Sequence, residues 1–115
     1  MYELNDWTVI EPLVSIALDD YVEGARDEFL RGDLRAYRIA NVTVLLRYEL
    51  NCLVVVAAQG EKLSDIVRPV IAHARRLNYS VLRYHTLSLK RLQNIRDQFG
   101  RVDYVNNEYV IYTYL

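Results

Sequence analysis

Residues 53–60 read LVVVAAQG, residues 65–77 DIVRPVIAHARRL, residues 79–86 YSVLRYHT and residues 88–100 SLKRLQNIRDQFG. The first is an apolar strand, Leu53 to Ala58, followed by a turn at Gln59-Gly60. An amphipathic helix then runs to about Leu77, a second strand spans Tyr79 to Thr86, and a second helix, Ser88 to Phe99, is closed by Gly100. Strands alternating with helices of these lengths make βαβ units, in which the helix returns the chain across the sheet and leaves the strands parallel. Val54, Val55 and Val56 are consecutive, so the first strand is apolar on both faces and central. Within the first helix Ile66, Val67, Val70, Ile71, Ala74 and Leu77 share a face, and Arg68, Ala72, Arg75 and Arg76 oppose it. Pro69 lacks the amide that a helix interior requires, so the regular helix starts near Ile66 or is distorted there. In the second helix Leu89, Leu92, Ile95 and Phe99 form the apolar stripe, and Lys90, Arg91, Asn94, Asp97 and Gln98 face away from it.

Upstream, Glu11-Pro12 reads as a helix start. Leu13, Ile16, Ala17, Tyr21 and Phe29 form its apolar stripe, with Asp19, Asp20, Glu23, Asp27 and Glu28 on the other side. Gly24 is placed to split this helix and Gly32 to stop it. Trp7 to Ile10 is compatible with a short first strand or an extra helical turn. From Tyr37 the chain turns β-rich, and Val42 to Tyr48, a turn at Glu49 to Asn51 and Cys52 to Ala58 read as an antiparallel hairpin. Downstream, Val102 to Val105, Asn106-Asn107 and Glu108 to Tyr114 read as a closing hairpin. Its last strand is apolar on both faces and must be covered, by the chain's own helices or by a partner such as a second copy.

The whole is one α+β domain, 1–115, with a mixed sheet of about five to seven strands. At 52% hydrophobic and 25% charged residues it has the composition of an ordinary globular protein. The apolar runs are far short of the roughly 20 residues of a bilayer span. Met1 is followed by Glu3 and Asp6 rather than a basic lead, and Cys52 is a lone cysteine, so a cytoplasmic setting is expected. The net charge of −1 hides a division: residues 1–33 carry nine acidic and two basic side chains, and residues 62–101 nine basic and two acidic. Either the two regions neutralise each other within a Debye length, or the basic one meets a polyanion. Arg31-Gly32-Asp33 is taken as a chance occurrence of an adhesion tripeptide.

Metal and thiol chemistry are disfavoured. Two histidines and one cysteine show no ligand spacing. Cys52 falls at a buried strand position, and His73 lies among apolar neighbours as a hydrogen-bonded residue at the core's edge.

A helix over an antiparallel hairpin, then strand, helix, strand, a helix ending in Phe99-Gly100 and a closing hairpin, resembles the GNAT (Gcn5-related N-acetyltransferase) fold. Asn78-Tyr79 sits where that family commonly has a glycine before its fifth strand. The sequence also bears a faint resemblance to the acetyltransferase-like internal virion proteins of short-tailed bacteriophages, which implies a phage-encoded or virion-associated role. The GNAT resemblance implies an acyl-CoA loop of the form Q/R-x-x-G-x-G/A, whose bare amides meet the pyrophosphate. Here the matching segment is Ala58-Gln59-Gly60-Glu61-Lys62-Leu63, which lacks the glycine spacing and brings Glu61, with Asp65 close behind. The family's tyrosine acid falls at Arg96.

The first expectation is therefore a non-catalytic GNAT-like protein for binding or assembly, without cofactor, forming a homo-oligomer through its C-terminal strand. The second is an N-acetyltransferase using acetyl-CoA. Its phosphates would rest on Gln59, Gly60, Lys62 and Arg68, and Tyr84 or Tyr104 would replace the missing tyrosine. The third is a nucleic-acid-binding module on the face of Arg68, Arg75, Arg76, Arg91 and Arg96, interrupted by Asp65 and Asp97.

Overall fold

In a computed structural model, which describes residues 1–86, 89 and 99–115, Asp6 caps the first helix. Its carboxylate accepts from the Thr8 amide at 3.0 Å and the Thr8 hydroxyl at 2.7 Å, and these bonds hold its pKa below the usual range. Strand β1 (Tyr2–Leu4) precedes this cap, and helix α1 (Trp7–Leu18) follows it. The helix thus begins before Glu11-Pro12, and Trp7 to Ile10 is its first turn. Pro12 is tolerated inside because the Thr8 carbonyl that it leaves unpaired lies in an exposed turn. The earlier start also resets the phase. Trp7, Ile10, Val14 and Leu18 are buried, whereas Ile16 is 77% exposed and Ala17 is exposed.

The break after α1 comes from Asp19, at φ 52°, and a 3-10 turn, Asp19–Tyr21, rather than from Gly24. Gly24 lies within α2 (Val22–Arg31), where the Tyr21 ring occupies the space that a Cβ would need. Gly32, at φ 85°, ends α2 as expected.

Strands β2 (Leu34–Ile39), β3 (Val42–Tyr48) and β4 (Leu53–Gly60) form a meander. Helix α3 (Val67–Arg76) is entered through a 3-10 turn at Leu63–Ile66 and leads to β5 (Val81–Thr86). Strands β6 (Arg101–Val105) and β7 (Glu108–Tyr114) close the chain. The β-region starts at Leu34, earlier than Tyr37, and β2 also pairs with β1. Gln59 and Gly60 belong to β4 rather than to a turn. Pro69 is the third residue of α3, where an amide has no helical partner to lose, and Leu77 caps the helix half-exposed instead of extending its apolar face. The segment read as a second amphipathic helix lies mostly outside the described residues, including Arg91, Leu92, Ile95 and Arg96.

The seven strands run in the order β1-β2-β3-β4-β5-β7-β6, antiparallel except for β4 with β5. β4 is the middle strand, which explains its valines. β7 lies between β5 and β6, so neither of its edges is open to a second copy, contrary to the expected assembly through this strand; the edges among the described strands are β1 and β6. Asn106 and Asn107, at φ 52° and 65°, make the two-residue turn that matches strand twist in a hairpin. No helix among the described residues is long and apolar enough to cross a membrane.

One core lies under α3, with Ile66, Val70 and Ala74 against Val44, Leu46, Leu53, Val55 and Leu82. The other lies under α1 and α2, with Ile10, Val14, Leu18 and Ala25 against Leu34, Ala36, Leu45 and Ala57. Glu28, expected on the solvent side of α2, is buried there. Arg47 of β3 grips its carboxylate at 2.6 and 2.8 Å, and Tyr21 donates to it from the other side. Arg47 is the main cause that holds the Glu28 pKa down. The chain of charges continues through Glu49, 3.8 Å from Arg47 and 3.1 Å from Arg83 of β5.

Arg47→Ala should destabilise the domain by about 3 kcal/mol, because it strands a buried carboxylate; Glu28→Gln should cost less. Urea unfolding of both variants checks the difference. Gly60, at φ 155°, has no room for a side chain: a Cβ would sit 2.1 Å from the Asn41 carbonyl oxygen. Gly60→Ala should cost about 2 kcal/mol and lower the melting temperature, measurable by calorimetry.

Candidate functional site

The parallel ladder between β4 and β5 ends while both strands continue. They pair at three positions, Leu53 with Leu82, Val54 with Arg83 and Val55 with Tyr84. Beyond Val55, β4 runs to Gly60 held by β3 alone, and β5 runs to Thr86 held by β7 alone. The sheet is therefore forked, and among the described residues no strand pairs with the β4 edge from Val56 to Gly60 on its open side. At the root of the fork β4 carries a bulge. Leu45 pairs with Ala57 and Leu46 with Val55, so Val56 is matched by neither β3 nor β5. Such bulges concentrate next to active sites because they re-aim backbone groups.

The fork has two unlike walls. On one face lie the β4–α3 connection and the start of α3. On the other lies the end of α1, tied to β4 by the Ala17 amide, which donates to Gln59 Oε1 at 3.0 Å. The four residues expected to hold a cofactor come together at this end of β4, in two roles. Gln59 and Gly60 serve the scaffold, the first through Ala17 and the second by close approach to Asn41. Lys62 is exposed and 3.9 Å from Asp65, and Arg68 is an exposed residue of the first turn of α3 with no acidic partner among the described residues. Neither the 3-10 turn nor α3 has a side-chain cap. Asp65 and Val67 donate to the Lys62 and Ser64 carbonyls, so the amides left open to an anion are those of Leu63 and Ser64 at the start of the 3-10 turn, with Glu61 and Asp65 close by.

Tyr84 sits at the root of the fork but turns towards α3. Its hydroxyl is 3.1 Å from Thr113 of β7, its ring packs against Phe99, and burial raises its pKa. Tyr104 is on the edge strand β6, 62% exposed and in tilted ring contact with Tyr109, away from the fork. Arg75 and Arg68 flank an open cleft between α3 and the end of β7, and Arg76 is exposed beside them. Arg91 and Arg96 lie outside the described residues.

Cys52 is buried and its thiol is pushed up by desolvation. The described residues hold no cluster of metal-ligating side chains. His73 ends a chain of hydrogen bonds, Tyr37 to Tyr48 at 2.8 Å and Tyr48 to His73 Nε2 at 2.8 Å, and burial lowers its pKa. It is the hydrogen-bonded core-edge histidine that its sequence position suggests.

A pair that sequence spacing did not single out stands at the fork. His85, the first residue of β5 past its pairing with β4, is 2.8 Å through Nδ1 from Glu108 Oε1 at the start of β7. The two are 23 positions apart, joined only by strand register. The available signal was a histidine on a strand's alternate face next to a parallel pair.

No protein-family model matches the chain, and no curated protein matches it. Among solved structures it is similar to a GNAT family acetyltransferase from Elizabethkingia anophelis with acetyl-CoA bound. The TM-score is 0.65 at 14% identity, over 90% of this chain and 89% of that one. The chain thus has a GNAT-like fold, as its order of elements implied.

Because His73 has a lowered pKa in the folded state, its neutral form is favoured there. The stability that it contributes is complete above the unfolded value of about 6.5 and is lost as pH falls towards the folded value. Urea midpoints should fall between pH 7.5 and pH 5, and less steeply in His73→Gln.

Proposed function

We propose that this chain is an acyl-CoA-dependent N-acyltransferase that takes the acyl-CoA into the fork between β4 and β5. The observation that carries this reading is the three-residue pairing of those strands and the unpaired β4 edge beyond it. An extended amide-bearing chain, such as a pantetheine arm, satisfies such an edge as an added strand would. Its thioester would then lie at the root of the fork, beside the Val56 bulge. The pyrophosphate would reach the uncapped amides at Leu63 and Ser64, with Lys62 and Arg68 as cations. The similar acetyltransferase structure, which has acetyl-CoA bound, supports the same ligand class.

A second reading is a non-catalytic GNAT-like scaffold acting in binding or assembly. It is favoured by the commitment of Gln59 and Gly60 to the fold and by the acidic Glu61 and Asp65. Under it, assembly would use the β6 edge, where Val102, Tyr104 and Val105 are exposed.

Acetyl-CoA at a hundredfold excess over its dissociation constant should add about 2.7 kcal/mol, a rise of several degrees in melting temperature. Lys62→Ala and Arg68→Ala should each weaken binding about fivefold to tenfold by calorimetric titration. No thermal shift at millimolar acetyl-CoA would remove the enzyme reading and leave the scaffold.

A further inference from the structure

Of the described groups able to accept a proton from a nucleophile, four beside the sheet are already committed. Cys52 is buried, His73 is bonded to Tyr48, Tyr84 to Thr113, and Glu28 to Arg47. His85 is different in place and bonding. Its neighbour Tyr84 makes the last contact with β4 and faces α3, so His85 projects from the opposite face. On that face α1 and α2 cover β2 to β4, and no described helix covers β5, β7 and β6. His85 thus stands at the open end of the β4–β5 ladder, beside the buried Val110 of β7, its side chain 31% exposed.

Glu108 accepts a hydrogen bond from Nδ1–H, which sets the tautomer and leaves Nε2 with a free lone pair, unpartnered among the described residues. A surface pair of this kind contributes little to stability, about 0–1 kcal/mol, so stability alone does not account for it. The other charged groups on this face are Arg83, two residues along β5 and paired with Glu49, and on β6 Asp103, opposite Val110, with Arg101, which is paired to it.

We propose that His85 is the catalytic base of acyl transfer and Glu108 its positioning residue, an assignment that rests on the acyl-CoA reading of the fork. Nε2 takes a proton from the attacking amine as its nitrogen bonds to the thioester carbonyl carbon. The carbon–sulfur bond then breaks, CoA leaves as thiolate, and the imidazolium returns its proton through solvent to give the free thiol and the amide. Glu108 stabilises the imidazolium in between.

Two measurements test this. In the first, imidazole 15N resonances are followed by NMR during titration with acetyl-CoA, which needs no acceptor. His85 should shift and His73 stay; in Glu108→Gln the His85 Nδ1–H tautomer should be lost. Movement of β4 amides with His85 unchanged overturns the assignment and leaves the fork as a cofactor site. If neither moves and the melting temperature is unaltered, the acyl-CoA reading fails and the assignment with it.

In the second, thiol release from acetyl-CoA is measured with spermidine, tyramine or a lysine-containing peptide as acceptor. With any of these that is turned over, His85→Gln should lower kcat about 100-fold to 1,000-fold, with KM for acetyl-CoA within about threefold. The acidic limb of the pH profile should disappear in His85→Gln, and added imidazole should partly rescue His85→Ala. Activity of His85→Gln within threefold of the parent overturns the assignment.

Discussion

The parallel ladder between Leu53–Val55 and Leu82–Tyr84 is the joint on which the rest of the structure depends. Among the described strands it is the one ladder that joins an antiparallel meander of four strands to a C-terminal unit of three. Parallel pairing of so few residues is weak by itself, so the joint is held from both faces. Below it, α3 places Val70 and Ala74 against Leu53, Val55 and Leu82. Above it, the chain of charges from Glu28 through Arg47 and Glu49 to Arg83 crosses from α2 to β5.

The same joint creates the opening. Had the ladder continued, each further residue of β4 would have found a partner on β5, and no backbone would be left for a ligand. Instead β4 bulges at Val56 and leans on β3, β5 leans on β7, and the twist of the two units carries them apart. Residues that the rigid units need, Gln59 and Gly60, stay with the scaffold. Lys62 and Arg68 are exposed on the connection that follows β4 and at the start of α3, and His85 stands just past the end of the ladder. That division explains why Gly60, the last residue of β4, is not evidence for a phosphate cradle: it is where the backbone of Asn41 passes.

Much of the architecture was legible along the chain. Three consecutive valines marked the middle strand, Gly32 a helix end, Asn106-Asn107 a tight hairpin, and Pro69 the start of α3. Local signals failed where a stronger neighbour set the phase. Glu11-Pro12 looked like a helix start, but Asp6 capped the helix earlier and turned Ile10, Val14 and Leu18 inward in place of Ile16 and Ala17. Glu28 looked like a solvent residue because a carboxylate on a helix is usually one. Arg47, nineteen positions away, made its burial possible.

The sequence by itself determined the order of elements, and with it a GNAT-like fold, because hydrophobic period and turn chemistry act over a few residues and survive the loss of family motifs. Only the tertiary structure decided the site. The length of the β4–β5 ladder, the place of the bulge and the meeting of His85 with Glu108 are matters of register between distant strands. Register is set by packing across the whole sheet, and no local spacing encodes it.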